Sequence, residues 1–246
     1  MNPIAANLTA IKSRIAAACA QAGRRADEVT LLPVSKTRTV AEILRARSFG
    51  LSRFGENRAQ EALAKAQELA QTDIEWVIIG HLQTNKAKIA AQIASEYQAL
   101  DSLELAASLD RRLQAAGKQL DVLIQVNSSA EPQKFGLAPE AVLGFAAALA
   151  PFDALRVRGL MTIAVNSPER EQVAQCFQLM RRLQADLRDH AVPGQSYDEL
   201  SMGMSGDFEL AIAHGATQVR IGEAIFGPRG ESGDEDQGDV LAAEAE

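Results

Sequence analysis

Residues 29–36 read VTLLPVSK, an apolar run rich in β-formers that stops abruptly on a lysine, and residues 39–47 continue as TVAEILRAR. Thr39 and Glu42 have the spacing of a capping box, so a helix is expected to open directly behind a strand. The same strand-then-helix signature recurs along the chain. Further strand candidates are LSRF (51–54), IEWVIIG (74–80), YQAL (97–100), DVLIQVN (121–127), RVRGLMT (156–162), YDELSMG (197–203) and TQVRIG (217–222). Helical patterns follow seven of these eight runs. Asp101 with Glu104 repeats the capping spacing, and Ser167-Pro168 reads as an N-cap followed by a proline at the first helical position. Upstream, Ile4, Leu8, Ile11, Ile15 and Cys19 form the stripe of an additional N-terminal helix. Near-continuous apolar strands separated by helices imply a parallel sheet buried on both faces. The expected fold is α/β, a TIM-like (β/α)8 barrel, for which about 250 residues is typical. A doubly wound open sheet is the rival. Its usual G-x-G-x-x-G turn is missing after the first strand, where SKTRT stands instead.

The chain has 246 residues and a net charge of −7. Seven acids and no base fall in residues 231–246, so residues 1–230 are balanced. The expected organisation is therefore one barrel domain over 1–230 and an acidic, disordered tail over 231–246. A neutral body without a basic run argues against nucleic acid as a partner. An aromatic content of 4% argues against a base-stacking surface. No apolar run approaches the ~18 residues of a membrane span. The N-terminal stretch is broken by Lys12 and Arg14 and lacks the basic start of a signal peptide, so a cytoplasmic location is expected; a monomer is the default expectation for the assembly. Two cysteines and three scattered histidines support neither a disulfide framework nor a metal site.

In such a barrel, chemistry sits at the carboxyl ends of the strands. There the sequence places Lys36, Asn57, His81, Asp101, Asn127, Thr162, Ser201, Arg220 and Gly222. Lys36 closes a run that should be buried, and burial favours the neutral, nucleophilic amine needed for Schiff-base chemistry. The plainer reading is a lysine that snorkels to solvent from a strand end. The second signal is SMGMSGDFELAIAHG (201–215), in which Ser205 could cap a helix starting at Gly206. Free N–H groups at a helix N-terminus suit a phosphate; a helix that is merely capped is the alternative. Taken together, an aldehyde-reactive lysine and a phosphate cradle describe pyridoxal 5′-phosphate (PLP). Cys19, Cys176, Met161, Met202 and Met204 read as packing, His190 and His214 as helix-end residues, and Arg181-Arg182 as a solvated face.

Eight segments in order carry a resemblance: LLPVSKT, FGENRAQEALAK, IGHLQTNKAK, SLDRR, VNSSAEPQKFGL, RGLMTI, LSMGMSGDFELAIAHGATQVRIG and AIFGPR. From about Ile4 to Arg229 the chain resembles the pyridoxal phosphate homeostasis proteins. The resemblance implies a single barrel like the N-terminal domain of alanine racemases, with PLP held as an aldimine on Lys36. It implies phosphate contacts from Ser201, Met202, Gly203 and Ser205 and from the backbone of Gly222 and Glu223. It places Arg220 at the pyridine nitrogen, Asn57 and His81 in the pocket lining, and Lys134 at a secondary, regulatory PLP contact. Two positions depart from the family pattern. Glu223 stands where a Thr or Ser is frequent, so either only its N–H faces a phosphate or the affinity for phosphate is lowered. Val77-Ile78 stands where His-Phe is common.

A cationic Arg220 at the pyridine nitrogen would disfavour its protonation and weaken the ring as an electron sink. A racemase also needs a second acid on the other ring face, and the only tyrosines, Tyr97 and Tyr197, lie in strand candidates. About seventeen residues follow Arg229, too few for a further domain. The expected role is non-catalytic: intracellular PLP homeostasis, with release by transimination to amino acids or apo PLP-dependent enzymes. The alternatives are a weak PLP-dependent amino-acid racemase with Lys36 as its one base, and a barrel for another phosphorylated carbonyl compound.

Overall fold

The computed structural model describes residues 3–190 and 192–228; the acidic stretch 231–246 lies outside them. Eight strands appear: β1 (Thr30–Pro33), β2 (Arg53–Glu56), β3 (Glu75–Ile78), β4 (Ala94–Leu100), β5 (Leu120–Gln125), β6 (Leu155–Met161), β7 (Glu199–Ser201) and β8 (Gln218–Ile221). All pair in parallel in the order β1-β8-β7-β6-β5-β4-β3-β2. The remaining gap between β1 and β2 is bridged by Val34 opposite Gly55, where Ser35 N donates to Gly55 O at 2.9 Å. The sheet thus closes into a barrel, and the open-sheet rival is excluded.

Around it run α2 (Val40–Arg47), α3 (Ala59–Glu68), α4 (Ala87–Ile93), α5 (Leu103–Ala115), α6 (Val142–Ala148), α7 (Arg170–Asp189), α8 (Phe208–Ala213) and α9 (Glu223–Phe226). They follow an N-terminal helix, α1 (Pro3–Gln21). Ile4, Leu8, Ile11, Ile15 and Cys19 of α1 are all buried, and the helix packs on α8 and α9. The stripe Val173, Cys176, Phe177, Met180 and Leu183 of α7 is likewise buried. Both cysteines are free, and burial pushes the Cys19 thiol up.

Two strands differ from the expected segments for a common reason. β2 runs to Glu56 rather than stopping at Phe54, and β4 begins at Ala94 rather than Tyr97. Each extension carries an acid, Glu56 or Glu96, that resembles a strand terminator in sequence. In the fold both carboxylates are buried and paired, with Lys65 and Arg53 respectively. The inner barrel wall is also more polar than near-continuous apolar strands suggest: Gln98, Ser201, Gln218 and Arg220 hydrogen-bond to one another inside it.

Three helix starts shift by one to two residues. Thr39–Glu42 does form the expected capping box on α2. Ser102, not Asp101, caps α5, its Oγ accepting from Leu105 N. α7 starts at Arg170 behind Glu169, with Ser167 Oγ accepting from Glu169 N at 3.1 Å, so Ser167 organises the turn before the helix. α8 starts at Phe208 with Asp207 as its N-cap, which leaves Ser205 and Gly206 in the preceding loop. Met161 and Met202 are buried as expected, whereas Met204 is 41% exposed.

Candidate functional site

Lys36 follows β1 in a two-residue turn whose next residue, Thr37, has φ +62°. A β-branched residue in that region is strained and has to be held there by its surroundings. The restraint comes from below, between the barrel wall and α3. Lys65 Nζ donates to Ser35 O at 2.8 Å, to Glu56 Oε1 at 2.7 Å and to Glu61 Oε1 at 2.6 Å. Ser35 Oγ donates to Glu56 Oε1, and Thr37 N donates to Glu61 Oε1 at 2.7 Å. Residues on both sides of Lys36 are therefore tied to one buried ion-pair network. Burial dominates at Glu56 and pushes its carboxyl up, against the pull of Lys65. The half-buried Lys36 ammonium itself has no ion-pair or hydrogen-bond partner among the described residues.

The neighbouring strand supplies Arg220. Its guanidinium is 4% exposed, with Nη1 donating to Ser201 Oγ and Nη2 to Thr162 O, both at 2.7 Å. Burial lowers its pKa to about 10, partly offset by Asp207, so it remains cationic at neutral pH. Ser201 Oγ donates in turn to Gln98 Oε1 at 2.7 Å, and Gln98 Nε2 donates to Gln218 and to Glu96. Ser201 is thus an internal link in a polar chain as well as the end of β7.

The loop between β7 and α8 turns at Gly203, whose φ is +93° and whose missing Cβ would lie 2.6 Å from Ala211 Cβ. Asp207 Oδ1 accepts from Met204 N at 2.6 Å and folds the loop back on itself. The N–H groups of Gly203, Ser205 and Gly206 and the Ser205 hydroxyl have no acceptor among the described residues. Such a concave run of unpaired donors is an anion-binding arrangement. After β8, Gly222 packs so closely on β1 that a Cβ would meet Val34 O at 3.0 Å. Glu223 opens α9 with its side chain exposed, and its N–H at the first helical position has no intrahelical partner.

On the other side of β1, Gly80 allows the end of β3 to approach Asn57, whose carbonyl oxygen would be 2.2 Å from an added Cβ. The half-buried Asn57 amide makes no hydrogen bond within the described residues. His81 stacks on Phe135 with centroids 3.9 Å apart, and its Nδ1 lies 3.6 Å from Asp101 Oδ2. Asp101 also accepts from Gly136 N at 3.0 Å, which fastens the 128–137 loop over this edge. Lys134, in that loop, donates to Ala164 O at 3.0 Å and pairs with Glu131.

The chain is similar to known proteins over nearly its whole length. The family model of the alanine racemase N-terminal domain matches residues 6–230. The pyridoxal phosphate homeostasis proteins of Escherichia coli strain K12 and Pseudomonas aeruginosa are each 42% identical to the chain. The matches cover 93% of this chain and 98% and 97% of theirs. The chain belongs to the pyridoxal phosphate homeostasis protein family. Among solved structures, PipY of Synechococcus elongatus with PLP bound superposes with a TM-score of 0.81 at 35% identity, covering 91% of this chain and all of that one. Alanine racemase from Streptomyces lavendulae, at 16% identity and a TM-score of 0.68, shares the fold alone; the match covers 89% of this chain and 56% of that one.

For this member of the homeostasis family, the topology gathers the anticipated residues at one end of the barrel. Lys36, Arg220 with Gly222, and the 201–206 loop come from three adjacent strands, β1, β8 and β7. Asn57 and His81 follow β2 and β3, on the other side of β1, and Lys134 lies in the loop fastened to Asp101. Glu56, Glu61, Lys65, Gln98, Asp207 and Gln218 went unrecognised in the sequence. Lys65 carried one usable signal, a lysine on the apolar stripe Ala59, Ala62, Lys65 of α3.

Proposed function

We propose that this protein binds PLP at the carboxyl end of its barrel, anchors it covalently but reversibly on Lys36, and serves PLP homeostasis by surrendering it to incoming amines. The single observation that carries this reading is a Lys36 amine with no partner among the described residues, at the same end of the barrel as a loop whose N–H donors are also unpaired there. Homology supports it: relatives across nearly the whole chain bear that name, and one solved relative contains PLP.

The residues fit the cofactor group by group. Ser205, with the N–H groups of Gly203, Gly206, Gly222 and Glu223, would hold the phosphate. The Glu223 side chain is exposed, so water and salt screen its negative charge. Arg220, locked by Ser201 and Thr162, would present one of its three remaining N–H groups to the pyridine nitrogen as a donor. When bound, PLP supplies an aldehyde that primary amines capture and exchange. A cationic donor at the ring nitrogen keeps a proton off that atom, which limits the site to exchange rather than carbanion chemistry. Tyr97 packs outside the barrel wall with its hydroxyl given to Ala99 O at 2.7 Å, and Tyr197 gives its own to Gln195. Burial pushes both phenols up, so neither serves as a ready acid. Two buried free cysteines agree with a reducing compartment, and we place the protein in the cytoplasm with apo PLP-dependent enzymes as recipients.

The test is borohydride reduction of PLP-loaded protein followed by peptide mapping. The reduced cofactor should sit on the Lys36 peptide, and Lys36→Ala should lose both the label and the yellow colour. Labelling elsewhere, or none, overturns the assignment. Incubation with L-amino acids in heavy water then separates carrier from racemase: Lys36-dependent deuterium at Cα would make it an enzyme.

A further inference from the structure

We propose that the opposite, amino-terminal end of the barrel carries a second anion site, an arginine-lined cleft that takes a small molecule bearing a di- or triphosphate group. The cleft is about 760 Å³ in volume and lies between the lead-ins to β1, β7 and β8 and the last half of α7. That volume falls within the range of small-molecule sites, roughly 300–1,000 Å³.

Four guanidiniums line it, from Arg24, Arg181, Arg182 and Arg188, against two carboxylates, Glu28 and Asp198. The body of the chain is neutral, so a local excess of two positive charges is a concentration of charge rather than a background. Three of the four arginines are already oriented. Arg24 Nη1 donates to Ile212 O and Ala216 O at 3.0 and 2.8 Å, and its Nε pairs with Glu28 at 3.2 Å. Arg188 pairs with Asp198 at 3.0 Å. Arg181 Nη1 donates to Gln184 Oε1, while Gln184, 1% exposed, is fixed by donating to Tyr197 O at 2.6 Å. The Arg181 side chain lies across Gly215, whose φ is +95° and where a Cβ would come within 3.3 Å of Arg181 Cδ.

What remains free points to the ligand class. Arg182, and the rest of the Arg181 fork, have no carboxylate partner among the described residues, and the half-buried His214 ring adds a further unpartnered polar group. Pre-oriented guanidinium forks match phosphate oxygens in pairs, which a point charge cannot do. The lining has no Phe, Tyr or Trp, so a nucleobase would find no stacking partner. Recognition would rest on the phosphates. A chain with net charge −7 also disfavours a long polyanion over a compact one.

The experiment is calorimetric titration of the full chain with inorganic pyrophosphate, with and without added PLP, beside Arg181→Gln/Arg182→Gln. Both arginines are exposed, so the variant should fold, and unchanged thermal melting checks this. The expected result is one salt-sensitive site present in both PLP conditions. Its affinity should fall about tenfold or more in the double variant, the equivalent of losing a charge-assisted contact. Arg111→Gln, an exposed arginine on α5, should leave it unchanged. The proposal is overturned by no binding, by binding that survives the double variant, by an equal loss in Arg111→Gln, or by citrate binding where pyrophosphate does not.

Discussion

Lys65 occupies a position where the pattern of α3 calls for a small apolar residue, on the face it shares with Ala59 and Ala62. It is 7% exposed and its partner Glu56 is fully buried, so both charges have left water. Burying such a pair gains little net stability over apolar residues of the same size, but removing one partner strands the other. Lys65→Met should therefore cost about 3–5 kcal/mol in urea denaturation. Glu56→Leu combined with Lys65→Met should recover most of that loss. If the double variant were as unstable as the single, the pair would be contributing through shape and not charge. The same comparison separates stability from presentation of Lys36. The double variant no longer supplies the ammonium that holds Ser35 O, so capture of PLP by Lys36 should stay impaired although stability returns. Equal capture rates in the double variant and the wild type would mean the network does not position the turn.

At the scale of elements, glycines distinguish two kinds of space. Gly159 sits in β6 opposite β7, and a Cβ there would fall 1.9 Å from Glu199 O, a backbone atom that cannot swing aside. Gly144 lies in α6 with nothing within 4 Å of its missing Cβ. Gly159→Ala should prise β6 from β7 and cost about 3 kcal/mol, while Gly144→Ala should gain up to about 1 kcal/mol from helix propensity. Thermal melts of the two variants would decide this, and destabilisation at both sites would contradict the assigned packing. Neither glycine stands apart in the sequence, because close approach between strands leaves no local signature. Most of the barrel was legible for the converse reason: strand and helix periodicities are local, and so is the Thr39–Glu42 cap. Asp101 shows where locality fails. Its spacing to Glu104 imitates a cap, yet its carboxylate serves Gly136 N and faces His81, partners 35 and 20 residues away in sequence. Lys36, Arg220 and the 201–206 loop were legible because strand ends and glycine-rich turns show in one dimension. Gln98, Gln218 and Lys65 were not, since their roles exist only once distant strands or a neighbouring helix meet.

Across the whole molecule, a polar chain runs up the barrel's interior. It starts at Arg53, passes through Glu96, Gln98, Gln218 and Ser201, and ends on Arg220. The chain connects the two ends of the barrel, and its lower end is crowded with acids. Glu96 is close enough to oppose the charge on Glu199, and Asp121 adds to the repulsion. Arg158 lies 3.7 Å from Glu199 and Arg53 draws on it as well, but burial outweighs both, so the Glu199 carboxyl is held above its ordinary range. A raised pKa in the folded state means that the native protein binds this proton more tightly than the unfolded chain does. The associated stability is fully present below the ordinary glutamate value of about 4.3 and is lost as pH rises through the raised native value. Glu199→Gln keeps the uncharged form at every pH. Its melting temperature relative to the wild type should therefore climb in its favour from acid toward neutral pH, then level off once wild-type Glu199 is ionised. Melting curves collected across that window provide the check. A difference that stayed constant with pH would show that the arginines at the barrel floor fully compensate Glu199, and that the polar chain above it rests on a neutral base.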